Sequence, residues 1–114
     1  MKIYLAGPMR GYPDFNVRAF MKAARELRDQ GHIVFNPPEK DLETYGPAAL
    51  VSAEGKLADV SFTGLTPRAV MRVDINWILD HAEAIALLPG WENSKGATVE
   101  KAMADFLSLE TIIL

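Results

Sequence analysis

One glutamate in the last quarter of the sequence is placed where it could face a substrate. Glu100 belongs to the segment NSKGATVEKAMADF, which predicts a helix capped by Asn93 or Ser94. The Ser94 hydroxyl lies at the start of that helix, where free backbone N–H groups can also hold an anion. Surface glutamates are common on helices, so the position of Glu100 also fits an ordinary solvent-exposed charge. A core-facing stripe is expected beside Glu100 and consists of Val99, Ala102, Met103 and Phe106.

An aspartate lies inside an apolar helical pattern earlier in the chain. Asp74 belongs to the segment RVDINWILDHAE. A carboxylate in apolar surroundings is partly desolvated, which raises its pKa and suits it to general-acid catalysis. The alternative is an aspartate at the edge of the apolar stripe, where its side chain reaches water. Its neighbours three or four residues away, on the same helix face, are Val70, Met71, Trp77 and Ile78.

A glycine-containing turn, AGPMRGYP, follows the first apolar run of the sequence. Gly7 and Gly11 allow a ligand to approach the backbone closely, and Arg10 adds a cation that suits a phosphate or a carboxylate. The spacing differs from the G-x-G-x-x-G fingerprint of dinucleotide-binding proteins. The alternative is a plain strand-to-helix turn with a solvated arginine.

An alternation of strands and helices would bring these segments together. Apolar runs predict strands at residues 2–6, 32–35, 84–88 and 111–114. Helices are predicted between them, and Thr66-Pro67 is a good start for the helix that contains Asp74. Asp14 or Asn16 is expected to cap the first helix. The pattern predicts a small α/β fold with a doubly wound (flavodoxin/Rossmann-like) parallel sheet of four or five strands and helices on both faces.

The predicted topology also indicates where a ligand would bind. In doubly wound sheets ligands lie beyond the carboxyl ends of the strands, so the three segments described above should converge there. Residues 39–65 interrupt the alternation and are expected to form an insert or lid, with a short helix near residues 48–55. The chain otherwise reads as one domain over residues 1–114.

The composition narrows the classes of partner. The net charge of −3 gives no basic surplus, so neither a nucleic-acid polymer nor an anionic membrane surface is expected as a partner. The absence of cysteine excludes disulfides and thiolate chemistry and fits a cytoplasmic protein. No apolar run is long enough for a signal peptide or a membrane helix. His32 and His81 are isolated in the sequence, so no metal site is expected.

In order and spacing, these motifs resemble the nucleoside 2-deoxyribosyltransferase-like family over nearly the whole chain. The similarity is greatest to its branch of 2′-deoxynucleoside 5′-monophosphate N-hydrolases, and within it to a compact subset. Pro8 is a departure, because that branch usually has serine in its first turn. The residues that carry the resemblance are Tyr4, Gly7, Arg10 and Gly11, then Asp74-Ile75-Asn76-Trp77, then Ser94, Gly96 and Glu100.

The resemblance implies a role for each of these residues. Glu100 would be the nucleophile that attacks C1′ of the sugar and forms a glycosyl-enzyme intermediate. Asp74 would help to protonate the departing base, and Tyr4 would orient Glu100. No cofactor or metal is implied. A 5′-phosphate would be held by the first turn and the helix start, at Gly7, Pro8, Arg10, Gly11, Ser94 and Gly96.

The sequence therefore predicts an enzyme that cleaves the N-glycosidic bond of a nucleoside or deoxynucleoside 5′-monophosphate and releases the free base. Hydrolysis is favoured over transfer to another base because Arg10 suggests phosphate recognition. Two alternatives are a non-catalytic nucleotide-binding or sensor module of the same fold and a structural subunit with a vestigial crevice. The apolar last strand and the resemblance predict a homodimer or larger oligomer, with the Asp74 helix at or near the interface.

Overall fold

A four-stranded parallel sheet forms the centre of the protein in a computed structural model that describes residues 1–114. The strands are arranged in the order β2-β1-β3-β4, and every neighbouring pair is parallel. The predicted doubly wound sheet is therefore confirmed, with four strands. The strands are β1 (Lys2–Ala6), β2 (Ile33–Phe35), β3 (Ala84–Leu87) and β4 (Glu110–Ile113).

Four helices cover the two faces of this sheet. Helix α1 packs on one face, and helices α3 and α4 pack on the other. The chain moves outward from β1 to β2 and then crosses back to β3, so the switch point lies between β1 and β3. In this class of fold the crevice at the switch point is the usual ligand site. The helices are α1 (Val17–Asp29), α2 (Pro37–Tyr45), α3 (Pro67–His81) and α4 (Lys95–Phe106).

The alternation of side chains along β1 decides which residues reach each face. Ile3 and Leu5 pack with Phe20 of α1, whereas Tyr4 and Ala6 belong to the core beneath α3 and α4. Successive side chains of a strand point to opposite faces, so the register of β1 fixes this division. Because both faces are covered, the strand is apolar along its whole length. Tyr4 is thereby placed on the face that carries α3 and α4.

The predicted starts of α3 and α4 are confirmed. The Thr66 hydroxyl oxygen accepts a hydrogen bond from the Ala69 amide, with Pro67 at the first helical position. The Ser94 hydroxyl oxygen accepts one from the Ala97 amide, so Ser94 is the cap rather than Asn93.

Asn16, one of the two predicted cap residues, lies at the cap position of α1, but the expected capping interaction is absent. Neither Asp14 nor Asn16 makes a capping side-chain bond, and both have left-handed φ values of 48° and 63°. The Asp14 carboxylate instead accepts a hydrogen bond from the Ser52 amide, 3.0 Å away. The Asp14 side chain, which was expected to cap α1, therefore binds the backbone of the insert instead.

The segment after β2 forms a helix that the sequence pattern did not predict. Helix α2 starts at Pro37, directly after β2, and ends before Gly46, whose φ is 89°. The helix expected near residues 48–55 is reduced to a 3₁₀ turn at Pro47–Leu50, and further 3₁₀ turns follow at Leu57–Asp59 and Ser61–Thr63. A small third core of Phe15, Leu50 and Val60 fixes these turns against the first loop.

The backbone of the insert is bonded directly to the turn after β1. The Gly11 amide donates to the Gly55 carbonyl at 3.0 Å, and the Asp14 amide donates to the Ser52 carbonyl at 2.7 Å. Gly55 has a φ of 65°, and a Cβ atom there would lie 2.3 Å from the Tyr12 carbonyl oxygen. Only glycine fits this crossing point.

None of the helices is long and apolar enough to span a membrane. Strand β4 lies at the edge of the sheet, where the Ile113 side chain is 70% exposed. Self-association stays a prediction, which sedimentation equilibrium at micromolar concentration would test.

We expect Gly55→Ala to destabilise the protein by about 1–3 kcal/mol more than Gly64→Ala, because only Gly55 has backbone atoms in the way of a side chain. Both glycines have positive φ, and nothing lies within 4 Å of a Cβ atom at Gly64. The difference between the two variants therefore removes the cost of the left-handed backbone. Urea unfolding measures it, and equal losses in the two variants would show that the Tyr12–Gly55 crossing carries no packing constraint.

Candidate active site

A cavity of about 540 Å³ lies beyond the carboxyl end of β1. Its walls come from the turn after β1, the first turns of α3 and α4, helix α2 and the insert. The insert contributes mainly apolar side chains, among them Leu50 and Val60, and so covers the crevice as a lid would. The volume lies within the range of roughly 300–1,000 Å³ that is usual for small-molecule sites.

All the buried acidic residues of the chain line this cavity. Asp41, Asp74 and Glu100 are at most 6% exposed, whereas the remaining aspartates and glutamates are more accessible to solvent. Buried carboxyl groups are rare unless they are paired. Their concentration around one cavity is therefore a feature of the site rather than of the core.

Glu100 is held by a hydrogen bond from the central strand. The Tyr4 hydroxyl donates to Glu100 Oε2 at 2.7 Å, and the contact is buried. The Tyr4 ring is fixed in turn by a stacked contact with Phe35, at a ring-centroid distance of 5.5 Å, and Trp77 lies 5.1 Å from Phe35. The carboxylate is thus positioned by a rigid aromatic cluster.

The predicted stripe on α4 is confirmed only for Met103, which packs against the core. The buried face of the helix is formed by Ala97, Glu100 and Ala104, whereas Val99 is 49% exposed and Phe106 is 81% exposed. Glu100, which was expected beside the buried stripe, lies at the centre of the buried face. Small alanines on either side leave room for the glutamate to reach Tyr4 through the core-facing surface.

Burial shifts the pKa of both acids near Tyr4 upward. Desolvation, and then the charge of Asp41, raise the pKa of Asp74 from 3.8 to about 7. Desolvation, and then the charge of Asp74, raise the pKa of Glu100 from 4.5 to about 8. The hydrogen bond of Tyr4 lowers both pKa values but does not offset burial. The pair therefore titrates close to neutral pH, and between the two pKa values it holds one proton.

Tyr4 favours one arrangement of that proton. A phenol has one proton to donate, and Glu100 receives it. Burial leaves the pKa of Glu100 above that of Asp74, but the Tyr4 hydroxyl proton is aimed at Glu100 and favours the opposite arrangement, an ionised Glu100 beside a protonated Asp74. The arrangement presents one acid and one carboxylate to the cavity.

A group of cationic and polar residues lines another part of the cavity. Arg10 lies in the turn after β1, and Ser94, Lys95 and Gly96 form the start of α4. The first amides of a helix attract anions. Pro8 lines the same region and contributes no amide donor. Lys95 was not singled out in the sequence, because a lysine at a helix start carries no distinctive signal.

Gly7 and Gly11 of the first turn were expected to let a ligand approach the backbone, but the structure gives each of them a packing or backbone role. Gly7 lines the cavity, but a Cβ atom there would lie 2.7 Å from the Leu88 side chain, so packing alone requires glycine. Gly11 does not line the cavity, and its amide serves the insert through Gly55.

Asp41 is the acidic residue that sequence reasoning missed. It lies on α2, within the segment interpreted only as an insert, and it is 5% exposed. Burial raises its pKa from 3.8 to about 7. The sequence signal that could have identified Asp41 is its position shortly after β2. The carboxyl end of that strand reaches the same sheet edge as the ends of β1 and β3.

Comparison with known proteins identifies a family. Residues 1–113 match the model of a family described as "Domain of unknown function (DUF4406)". That family is related to nucleoside 2-deoxyribosyltransferase-like proteins. No curated protein and no solved structure is significantly similar to the sequence. Because the match spans almost the whole chain, the protein belongs to the DUF4406 family.

Proposed function

We propose that the protein cleaves the N-glycosidic bond of a nucleoside or deoxynucleoside 5′-monophosphate and releases the free base. The observation that carries the proposal is the buried Tyr4–Glu100 hydrogen bond beside Asp74, at the wall of a nucleotide-sized cavity. A carboxylate and a carboxylic acid facing one cavity are the pair that glycoside cleavage uses.

In the proposed reaction Glu100 supplies the electron pair that replaces the glycosidic bond. Its carboxylate oxygen bonds to C1′ as the bond from C1′ to the base nitrogen breaks. The electrons of the broken bond go to the base, and Asp74 delivers a proton to it. Water then attacks C1′, the ester bond to Glu100 breaks, and Asp74 accepts a proton from that water. Glu100 and Asp74 are both restored.

The proposed orientation of the substrate follows from the charges. Asp74 and Glu100 repel a phosphate, whereas Arg10, Lys95 and the first amides of α4 attract one. The 5′-phosphate therefore lies at the start of α4, with the sugar against Glu100. The closed, apolar insert would limit the access of bulk water to the intermediate.

A second candidate function is non-catalytic binding of a nucleotide as a signal. Pro8 favours this alternative, because it removes one backbone donor from the phosphate end of the cavity. Burial of two acids opposite an anionic ligand argues against it, since a binding site gains nothing from that repulsion. Release of free base from a panel of nucleosides and 5′-monophosphates distinguishes the two functions.

Glu100→Ala and the isosteric Glu100→Gln should reduce base release by about 10³-fold or more, because the nucleophile is removed. Chromatography of the released base measures the rate, and thermal unfolding verifies that each variant is folded. Glu92→Gln, an exposed glutamate in the loop before α4, is the matched control and should retain wild-type turnover. Near-normal turnover in Glu100→Gln would exclude Glu100 as the nucleophile.

Arg10→Ala should weaken a 5′-monophosphate far more than the matching nucleoside. A hydrogen bond to a charged group is worth about 1.5–3 kcal/mol, so the expected loss is roughly 10- to 150-fold in kcat/KM for the monophosphate alone. Arg25→Ala, an exposed arginine on α1 outside the cavity, is the control. Equal losses for both substrate classes would place the phosphate elsewhere.

The dependence of kcat/KM on pH should be bell-shaped, with limbs near the pKa values of about 7 and 8 that belong to the Asp74–Glu100 pair. At lower pH Glu100 is protonated and cannot attack, and at higher pH Asp74 has no proton to give. Tyr4→Phe removes a hydrogen bond that lowers both pKa values, so both limbs should move to higher pH. An acidic limb near 4.5, the ordinary pKa of glutamate, would contradict this account.

A further inference from the structure

Asp41 is a buried carboxyl group to which the fold gives no partner. It is 5% exposed and lines the cavity, yet it makes no hydrogen bond and no ion pair within the chain. The charged neighbours on its own helix are engaged elsewhere: Glu39 pairs with Arg28, and Lys40 pairs with Glu43. The buried side-chain oxygen that lacks a partner belongs to Asn36, so the carboxyl oxygens of Asp41 are not sealed in the core but open onto the cavity.

Nothing in the packing explains an acid at this position. The insert residues around the cavity, such as Ala49 and Leu50, are apolar, and an apolar side chain at position 41 would avoid the cost of desolvation. Few polar groups in native proteins are withdrawn from bulk water without a partner, and one that is calls for an explanation such as a bound water, ion or ligand. A carboxyl group that is unpartnered in the free protein and faces a cavity indicates a contact with a ligand.

The order of the acids around the cavity shows which part of the ligand Asp41 would meet. Helix α2 with Asp41 follows β2, helix α4 with Glu100 follows β3, and these two strands flank β1 on opposite sides. Asp41 and Glu100 therefore approach the cavity from opposite sides of β1, and Asp74 lines the same cavity from α3. If Glu100 faces C1′ and Asp74 faces the base nitrogen, Asp41 lies further along the base, at the edge remote from the sugar.

We propose that Asp41 determines base specificity by accepting a hydrogen bond from an exocyclic amino group of the leaving base. The inference rests on the proposed function and names the substrate class as 5′-monophosphates of amino-bearing bases, which are adenine, cytosine and guanine. A carboxyl oxygen accepts a hydrogen bond whether or not the group is protonated, so an N–H donor is always a suitable partner. A keto oxygen at the same place would be repelled by an ionised Asp41, because both groups are hydrogen-bond acceptors.

A substrate without the amino group would leave Asp41 unpaired in a closed site. Sites built to bond an N–H group reject analogues that lack it for this reason. A hydrogen bond to a charged acceptor corresponds to a preference of roughly 10- to 150-fold. Replacement of the amino group by hydrogen deletes this one interaction while keeping the ring, the sugar and the phosphate.

The experiment compares two matched pairs of nucleotides. One pair is 2′-deoxyadenosine 5′-monophosphate and its analogue with hydrogen in place of the 6-amino group. The other is 2′-deoxycytidine 5′-monophosphate and its 4-hydrogen analogue. Wild type should prefer the amino member of at least one pair by the stated factor. Asp41→Ala should abolish the preference, whereas Asp41→Asn should keep a smaller preference of roughly 2- to 13-fold, because the amide oxygen still accepts but carries no charge.

Glu43→Gln is the matched control, since Glu43 is an exposed acid on the same helix and should leave the preference unchanged. Dissociation constants from calorimetry give the same ratios without turnover. Absence of base release from every nucleotide would therefore end the proposed function without deciding the role of Asp41. An Asp41→Ala variant that keeps the wild-type ratio would overturn the inference. A change in the preference between ribose and deoxyribose instead would place Asp41 at the sugar and also overturn it.

Discussion

The hydrogen bond from Tyr4 to Glu100 is the interaction on which the site depends. It joins the central strand to α4 across the core, and it is the hydrogen bond that the Glu100 carboxylate accepts from the protein. The pKa of Glu100 is still raised to about 8, so desolvation outweighs the bond. A charge-assisted hydrogen bond of about 1.5–3 kcal/mol is too small to offset the removal of a carboxylate from water. The site is therefore electrostatically costly, and the rest of the fold must hold it together.

The sheet holds the site together because the side chains of β1 alternate between its two faces. Tyr4 faces α3 and α4 because Ile3 and Leu5 face α1, and a shift of one residue in the register would exchange the two sets. Parallel pairing of β1 with both β2 and β3 prevents that shift from two sides. The position of the phenol is thus determined by apolar packing that takes no part in the chemistry. Phe35 and Trp77 then fix its ring from the side of β2 and α3.

Much of the fold could be predicted from local signals, and the failures share one physical cause. The cap at Thr66, the cap at Ser94 and the apolar strands were predicted because each depends on neighbours in sequence. Most of the stripe on α4 was wrong because the rule assigns charged residues to solvent, whereas Glu100 occupies the core face. Asp41 was missed because nothing in the sequence of α2 distinguishes it from the acids beside it. Both depend on contacts between distant segments, which periodicity does not report.

The acids of the cavity impose a condition on any anionic ligand. A phosphate that enters adds negative charge near Asp41, Asp74 and Glu100, and each like charge disfavours ionisation of the others. Binding is therefore accompanied by the retention or uptake of protons at these acids. A protonated acid is also what a departing base requires, because the base leaves more readily as a neutral species. Under the proposed function, the repulsion that opposes binding of the nucleotide would thus help to keep the proton in place for the step that follows, while Arg10 and the start of α4 would hold the phosphate at a distance from Glu100.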